Sequence, residues 1–201
     1  MVIDGIYYAL ALSAGGAAVW YLTRPAFAAP LFLLALFCLY FFRDPNRVIP
    51  EGPVAVSPAD GKVVGIRADG SECARISIFL NIFDVHVNRA PIAGRIAEVE
   101  YTRGHFLVAS RDVASSENER NTVTIRGQGT SVRFAQIAGL IARRIVFTKK
   151  LGDQVAKGER VGLIKFGSRV DVFLGPEWEI AVKTGEHVSG GSTVLARRRQ
   201  A

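Results

Sequence analysis

Gly152-Asp153-Gln154-Val155-Ala156-Lys157-Gly158-Glu159-Arg160-Val161 and Gly185-Glu186-His187-Val188-Ser189-Gly190-Gly191-Ser192-Thr193-Val194 are one pattern written twice, with glycine, acid, valine, glycine and valine at matching positions. Glycine opens backbone conformations that other residues avoid. Each copy therefore reads as a turn, an acidic residue, an inward valine, a second turn and an inward valine leading into a strand. Two hairpins of the same make are predicted. Asp60-Gly61-Lys62-Val63-Val64 reads as the start of a third element of similar kind.

Around these hairpins lie short β-branched and aromatic runs punctuated by Gly, Pro, Asn and Asp, such as Val63-Val64-Gly65-Ile66, Ile76-Ser77-Ile78-Phe79-Leu80 and Val170-Asp171-Val172-Phe173-Leu174. These are strand-and-turn sequences. Phe106 to Ala114 reads as a short helix and Ser115 to Asn121 as a polar loop. The expected fold is mostly β (α+β): a compact sandwich- or barrel-like domain over residues 43–201, preceded by a hydrophobic helical anchor over residues 1–42. The paired hairpins resemble the flattened β-sandwich of lipoyl- and biotinyl-type domains, but no modified-lysine turn surrounds Lys62, Lys157 or Lys165.

The anchor is read from two apolar runs, Gly5 to Leu22 and Ala26 to Phe42, separated by Thr23-Arg24-Pro25. Each approaches the ~20 residues that cross a bilayer as a helix. A cleaved signal peptide fits poorly, because Asp4 stands where a basic region belongs and apolar sequence resumes after Arg24. A spanning hairpin and a re-entrant one are both compatible with Gly15-Gly16, Pro25 and Pro30, and a buried hairpin of a soluble protein is the other reading. Arg43 and Arg47 after the second run favour a cell-membrane protein with residues 43–201 in the cytoplasm. A formal charge of +7 calls for an anionic partner, and the anchor favours a membrane surface. Nucleic acid is not expected as a partner, since the basic residues are scattered and no recognition helix appears. With only Cys38 and Cys73, neither a disulfide framework nor a cysteine zinc site is plausible.

Four separated segments carry the chemistry: Phe42-Arg43-Asp44-Pro45 with Ser57-Pro58-Ala59-Asp60-Gly61; Phe83-Asp84-Val85-His86-Val87-Asn88-Arg89-Ala90-Pro91; Asn118-Glu119-Arg120-Asn121; and Lys165-Phe166-Gly167-Ser168-Arg169-Val170. Gln136 to Arg144 lies between the third and the fourth. In this order they resemble the phosphatidylserine decarboxylase family in its short form, from about residue 40 to residue 196.

The resemblance implies a self-processing enzyme. Gly167 lacks the Cβ that would crowd its carbonyl, so the Ser168 hydroxyl can attack there, and elimination then splits the chain into residues 1–167 and 168–201. Residue 168 becomes a pyruvoyl group. Its ketone is expected to form a Schiff base with the serine headgroup and to accept the electrons released with CO2, so neither a metal nor a diffusible cofactor is needed. Phosphatidylserine in a membrane is the implied substrate and phosphatidylethanolamine the product. The two fragments are expected to stay together as a heterodimer, with further homo-oligomerisation open.

Ser192 in Gly191-Ser192-Thr193 is a rival cleavage site on local letters. It occupies the hairpin position of Glu159, and cutting there would leave only a short basic tail to hold the group. For Ser168 the resemblance offers Asp60 and His86 as an acid-oriented base. Longer family members have two histidines in the segment of His86; here Arg89 replaces the second, so substrate binding or protonation is the alternative role of His86. Asn118, Glu119 and Arg120 are candidates for shaping the headgroup pocket. Two other readings stay open: a pyruvoyl decarboxylase of another serine-headgroup lipid of the archaetidylserine type, and a non-catalytic membrane-anchored adaptor with a lipoyl-like domain.

Overall fold

The computed structural model describes residues 2–68, 74–109, 113–140, 144–165 and 168–199. It divides into two units, Met1–Asn46 and Arg47–Ala201. The first is a helical hairpin, α1 (Ile3–Leu22) and α2 (Pro25–Phe41). The break between them is local chemistry: Thr23 caps α1 through its N–H to the Val19 carbonyl, and Pro25 starts α2 where no N–H is needed. Gly5 leaves room for the Phe42 side chain, which a Cβ there would meet, and Gly16 faces the Phe32 ring. A bond from Val2 N–H to the Phe42 carbonyl at 3.0 Å closes the open end of the hairpin. With 20 residues, α1 is long and apolar enough to cross a membrane, rising about 30 Å; α2 is shorter. Both helices are apolar all round, and Tyr7, Leu10, Phe27, Leu33 and Leu36 are exposed.

The second unit is mostly β. Its elements are β1 (Val54–Val56), β2 (Gly61–Ala68), β3 (Ala74–Leu80), β4 (Val87–Arg89), β5 (Gly94–Thr102), α3 (Ala114–Glu117), β6 (Arg120–Gly127), β7 (Thr130–Ile137), β8 (Arg144–Phe147), β9 (Gln154–Val155), β10 (Arg160–Lys165), β11 (Ser168–Leu174), β12 (Trp178–Ile180), β13 (His187–Val188) and β14 (Val194–Arg198). An eight-stranded sheet runs β13-β2-β3-β11-β7-β6-β5-β9 and is joined by two three-stranded sheets, β4-β10-β8 and β1-β14-β12. Every pairing between these strands is antiparallel. The expected mostly β fold with an N-terminal apolar helix is what the chain adopts.

The repeated pattern is two matching hairpins. Gly152 and Gly185 have φ of +94° and +93°, and Gly158 and Gly191 have +77° and +81°. A residue with a side chain would be strained at all four. The acids do the same task in each copy: Asp153 accepts the Lys150 N–H at 2.8 Å, and Glu186 accepts the Lys183 N–H at 3.0 Å. Val155, Val161 and Val188 are buried as expected, but Val194 is only half-buried and Leu195 takes the inward place. The short helix also differs from expectation. It is α3, beginning at Ala114, and Phe106 to Val108 are not helical. Asn118 fixes this course, since its side chain bonds both the N–H and the carbonyl of Leu107.

The core lies between the sheets. Ile76, Ile78 and Leu80 of β3, Val170, Val172 and Leu174 of β11, and Val132 and Phe134 of β7 meet Ala90, Val161, Ile164 and Leu195. β11 is buried at six of its seven positions, because sheet neighbours flank it on both edges and both its faces are covered.

Candidate active site

Ser168 opens β11, and the ladders on either side fix its place. It pairs with Leu80, the last residue of β3, while Arg169 pairs with Ile137, the last residue of β7. Side chains alternate along a strand, so Ser168 shares the core face with Val170, Val172 and Leu174. Its Oγ is sealed from solvent and has no hydrogen-bond partner among the described residues. Leaving a buried hydroxyl unpaired costs about 1–3 kcal/mol, so it calls for an explanation beyond folding. Gly167, the other half of the expected scissile pair, lies outside the described residues.

His86 ends the segment that follows Leu80. A turn shapes this segment: Asn81 Oδ1 accepts the Phe83 N–H at 2.7 Å, and the Asp84 carboxylate accepts the Asn81 N–H at 2.8 Å. The His86 ring is buried, and its Nδ1 lies 2.9 Å from the Asp84 carbonyl. A carbonyl only accepts, so Nδ1 is the donor in this contact. The His86 carbonyl accepts the Ile164 N–H at 3.2 Å, which ties this segment to β10 shortly before Ser168.

Asp60 precedes β2 at the same end of the eight-stranded sheet. Two strand spacings, about 10 Å, separate β2 from β11 across β3. The carboxylate of Asp60 accepts Arg47 Nη2 at 2.9 and 2.7 Å and the Gly190 N–H at 2.7 Å. Topology thus brings Asp60, His86 and Ser168 to one end of a sheet, but the hydrogen bonds of Asp60 go to Arg47 and Gly190. The carbonyl of Asp84 orients the His86 ring.

Asn118, Glu119 and Arg120 stand at this end as well, because Arg120 pairs with Ile137. Asn118 is fully buried and donates to the Leu107 and Ala138 carbonyls at 2.9 and 2.7 Å. Glu119 accepts the Tyr101 hydroxyl, and Arg120 donates to the Ser116 carbonyl at 2.7 Å. Burial, then the bond to Glu119, push the Tyr101 phenol up to about 12. Asn118 therefore staples the Leu107 and Ala138 segments together beside the site.

Sequence reading missed a buried amide chain. Gln136 donates to Asn88 Oδ1 at 2.9 Å and accepts from Asn121 Nδ2 at 2.9 Å, linking β7 to β4 and β6. Gln136 is the register partner of Val170, two residues from Ser168. Polar letters on alternate strand positions were the available signal, and alternation alone reads them as a solvent face. At the same end, loop residues Ile82, Phe83, Val108, Val113 and Leu140 are exposed, with exposed Arg103 and Arg144 near them in sequence.

The family model described as phosphatidylserine decarboxylase matches residues 34–196. This chain belongs to the phosphatidylserine decarboxylase family. It is 66% identical over 198 residues to a phosphatidylserine decarboxylase proenzyme of Solibacter usitatus (strain Ellin6076), covering 98% of this chain and 97% of the relative. A proenzyme of the same description from Cupriavidus pinatubonensis (strain JMP 134 / LMG 1197) is 48% identical, covering 84% of this chain and 82% of its own. One from Erythrobacter litoralis (strain HTCC2594) is 46% identical, covering 96% and 86%. The segment matched to the phosphatidylserine decarboxylase family takes in Asp60, His86, Asn118–Arg120 and Ser168.

Proposed function

We propose that this chain is a self-processing decarboxylase that converts phosphatidylserine to phosphatidylethanolamine and CO2. The observation that carries the reading is the Ser168 hydroxyl, buried without a hydrogen-bond partner among the described residues, in a chain whose relatives are named proenzymes. In the processing step, Ser168 Oγ bonds to the carbonyl carbon of Gly167 as its proton passes to His86 Nε2, and the Gly167–Ser168 amide bond breaks. Loss of the Ser168 Cα proton then expels the Gly167 carboxylate from Cβ. One water enters, one ammonia leaves, and residue 168 ends as a pyruvoyl group at the head of residues 168–201.

That group supplies a ketone that captures an amine and an adjacent carbonyl that accepts electrons released with CO2. The rest belongs to the chain's own side chains. Full burial of residue 168 excludes water there, and His86 holds its proton on Nδ1, leaving Nε2 as the atom for proton transfer in this reading. The small fragment would keep its place because β11 lies between β3 and β7, β13 pairs with β2, and β14 pairs with β1. In this reading Asp60 helps hold the fragments together, since its carboxylate binds the Gly190 N–H across the cut.

A lipid substrate suits the exposed apolar loop residues at the Ser168 end, with basic residues nearby to meet anionic headgroups. The apolar α1 suits a membrane location, and Arg43 and Arg47 favour a cytoplasmic catalytic unit at the cell membrane.

Mass spectrometry of the purified full chain tests the proposal. Two fragments are expected, the smaller starting at residue 168 with a blocked N-terminus, and Ser168→Ala should give one uncut and inactive chain. An intact wild-type chain that still releases CO2 would overturn it.

A further inference from the structure

Two of the three residues facing away from Ser168 on β11, Arg169 and Asp171, are charged, yet they are not solvated. Arg169 and Asp171 are 1% and 0% exposed. Arg169 Nε donates to Asp171 Oδ1 at 2.6 Å, and Nη2 donates to Ser77 Oγ at 2.6 Å. Ser77 sits opposite Asp171 in the β3 ladder. The other oxygen, Asp171 Oδ2, accepts the Ser115 hydroxyl of α3 at 2.6 Å. Two apolar residues would fill such space with equal or better stability, because desolvating an ion pair is costly even when its geometry is good. The pair therefore points to a task other than cohesion.

Its place in the chain suggests the task, on the cleavage reading given above. While the chain is whole, residue 168 is held from both sides. After the cut it is a terminus, and strand ends fray unless tied down. The one covalent hold left on it is the amide of Arg169. We propose that Arg169 and Asp171 are positioning residues, a clamp that keeps residue 168 in its ladder position once the preceding peptide bond is gone. Through Ser115 the same clamp fixes the segment leading to Asn118. Neither side chain hydrogen-bonds Ser168 Oγ among the described residues; they act through the backbone of β11.

Two variants of the full chain test this, Arg169→Lys and Ser115→Ala. Lysine keeps the charge but lacks the planar fork that serves Asp171 and Ser77 together. Each variant is examined for fragment masses, amide hydrogen exchange over residues 169–172, and kcat and KM on phosphatidylserine. Both are expected to cut completely, to exchange faster at those amides and to keep KM within about twofold. The value of kcat is expected to fall about 10- to 100-fold in Arg169→Lys and less in Ser115→Ala, the scale on which small misplacements act. Cut variants with wild-type exchange and kcat would overturn the clamp. So would loss of cutting in step with loss of turnover, which marks a requirement for folding alone. If Arg169→Lys does not fold, Ser115→Ala decides by the same measures. A wild-type chain uncut before residue 168 is a different result; it removes the cleavage reading, and the clamp with it.

Discussion

At His86 one carbonyl decides which nitrogen can act. The Asp84 oxygen holds Nδ1–H, so in the proposed self-cleavage the proton would go to Nε2. Replacing His86 by Ala is expected to slow self-cleavage about 100-fold or more, the usual worth of a positioned acid–base group, measured as the time course of fragment appearance. Asp60→Asn should behave differently. Its carboxylate offsets Arg47, so the variant should cut at a rate within about threefold of wild type. Its thermal midpoint should fall by several degrees, at about 2–4 °C per kcal/mol for a chain of this size. Matching losses of cutting rate in both variants would instead assign Asp60 the role of orienting the base. Asp60, His86 and Ser168 each stand in a segment that the letters single out, and the fold brings all three to one end of a sheet. The pairing of Asp60 with Arg47 was not legible, since thirteen residues and a turn separate them and nothing in the letters draws them together.

Among the elements, the twin hairpins were the most legible, because only glycine fits four left-handed positions at matching spacing. Within one of them, Glu159 accepts from Lys149 and from the Ala156 N–H at 2.8 Å. The Lys149 contact, then that N–H, hold the Glu159 carboxyl below its ordinary 4.5, against a smaller opposing effect of burial. A carboxylate with a depressed folded pKa stabilises above its unfolded pKa and loses that contribution as pH falls through the folded value. The melting-temperature gap between wild type and Glu159→Gln should therefore be full above about pH 5 and close on acidification. A gap that does not change with pH would contradict this. Less legible was β11. Alternation of Arg169 and Asp171 with Val170 and Val172 reads as one wet face and one dry face. Both faces are covered here, and coverage comes from tertiary packing.

For the molecule as a whole, the ladder order gathers the loops of β3, β5, β6 and β7 at the end where Ser168 lies. Five strands across, that end is about 19 Å wide. If it rests on lipid, Phe83→Ser combined with Leu140→Ser should raise KM about 10-fold for phosphatidylserine in vesicles, each side chain losing part of its ~1.5–3 kcal/mol burial term. The KM for a short-chain, water-soluble phosphatidylserine should stay unchanged. Equal effects on both substrates would point to the pocket instead of the rim. No single segment announced this gathering, since the loops lie far apart in the chain. The central placement of β11 has one more consequence, given the cut proposed before it. Because its last 34 residues supply strands to two of the three sheets, a severed molecule has one chance at assembly: its short piece could not trade places with that of a neighbour. Heat or denaturant should then abolish it for good, whereas the uncut Ser168→Ala chain would still find its way back.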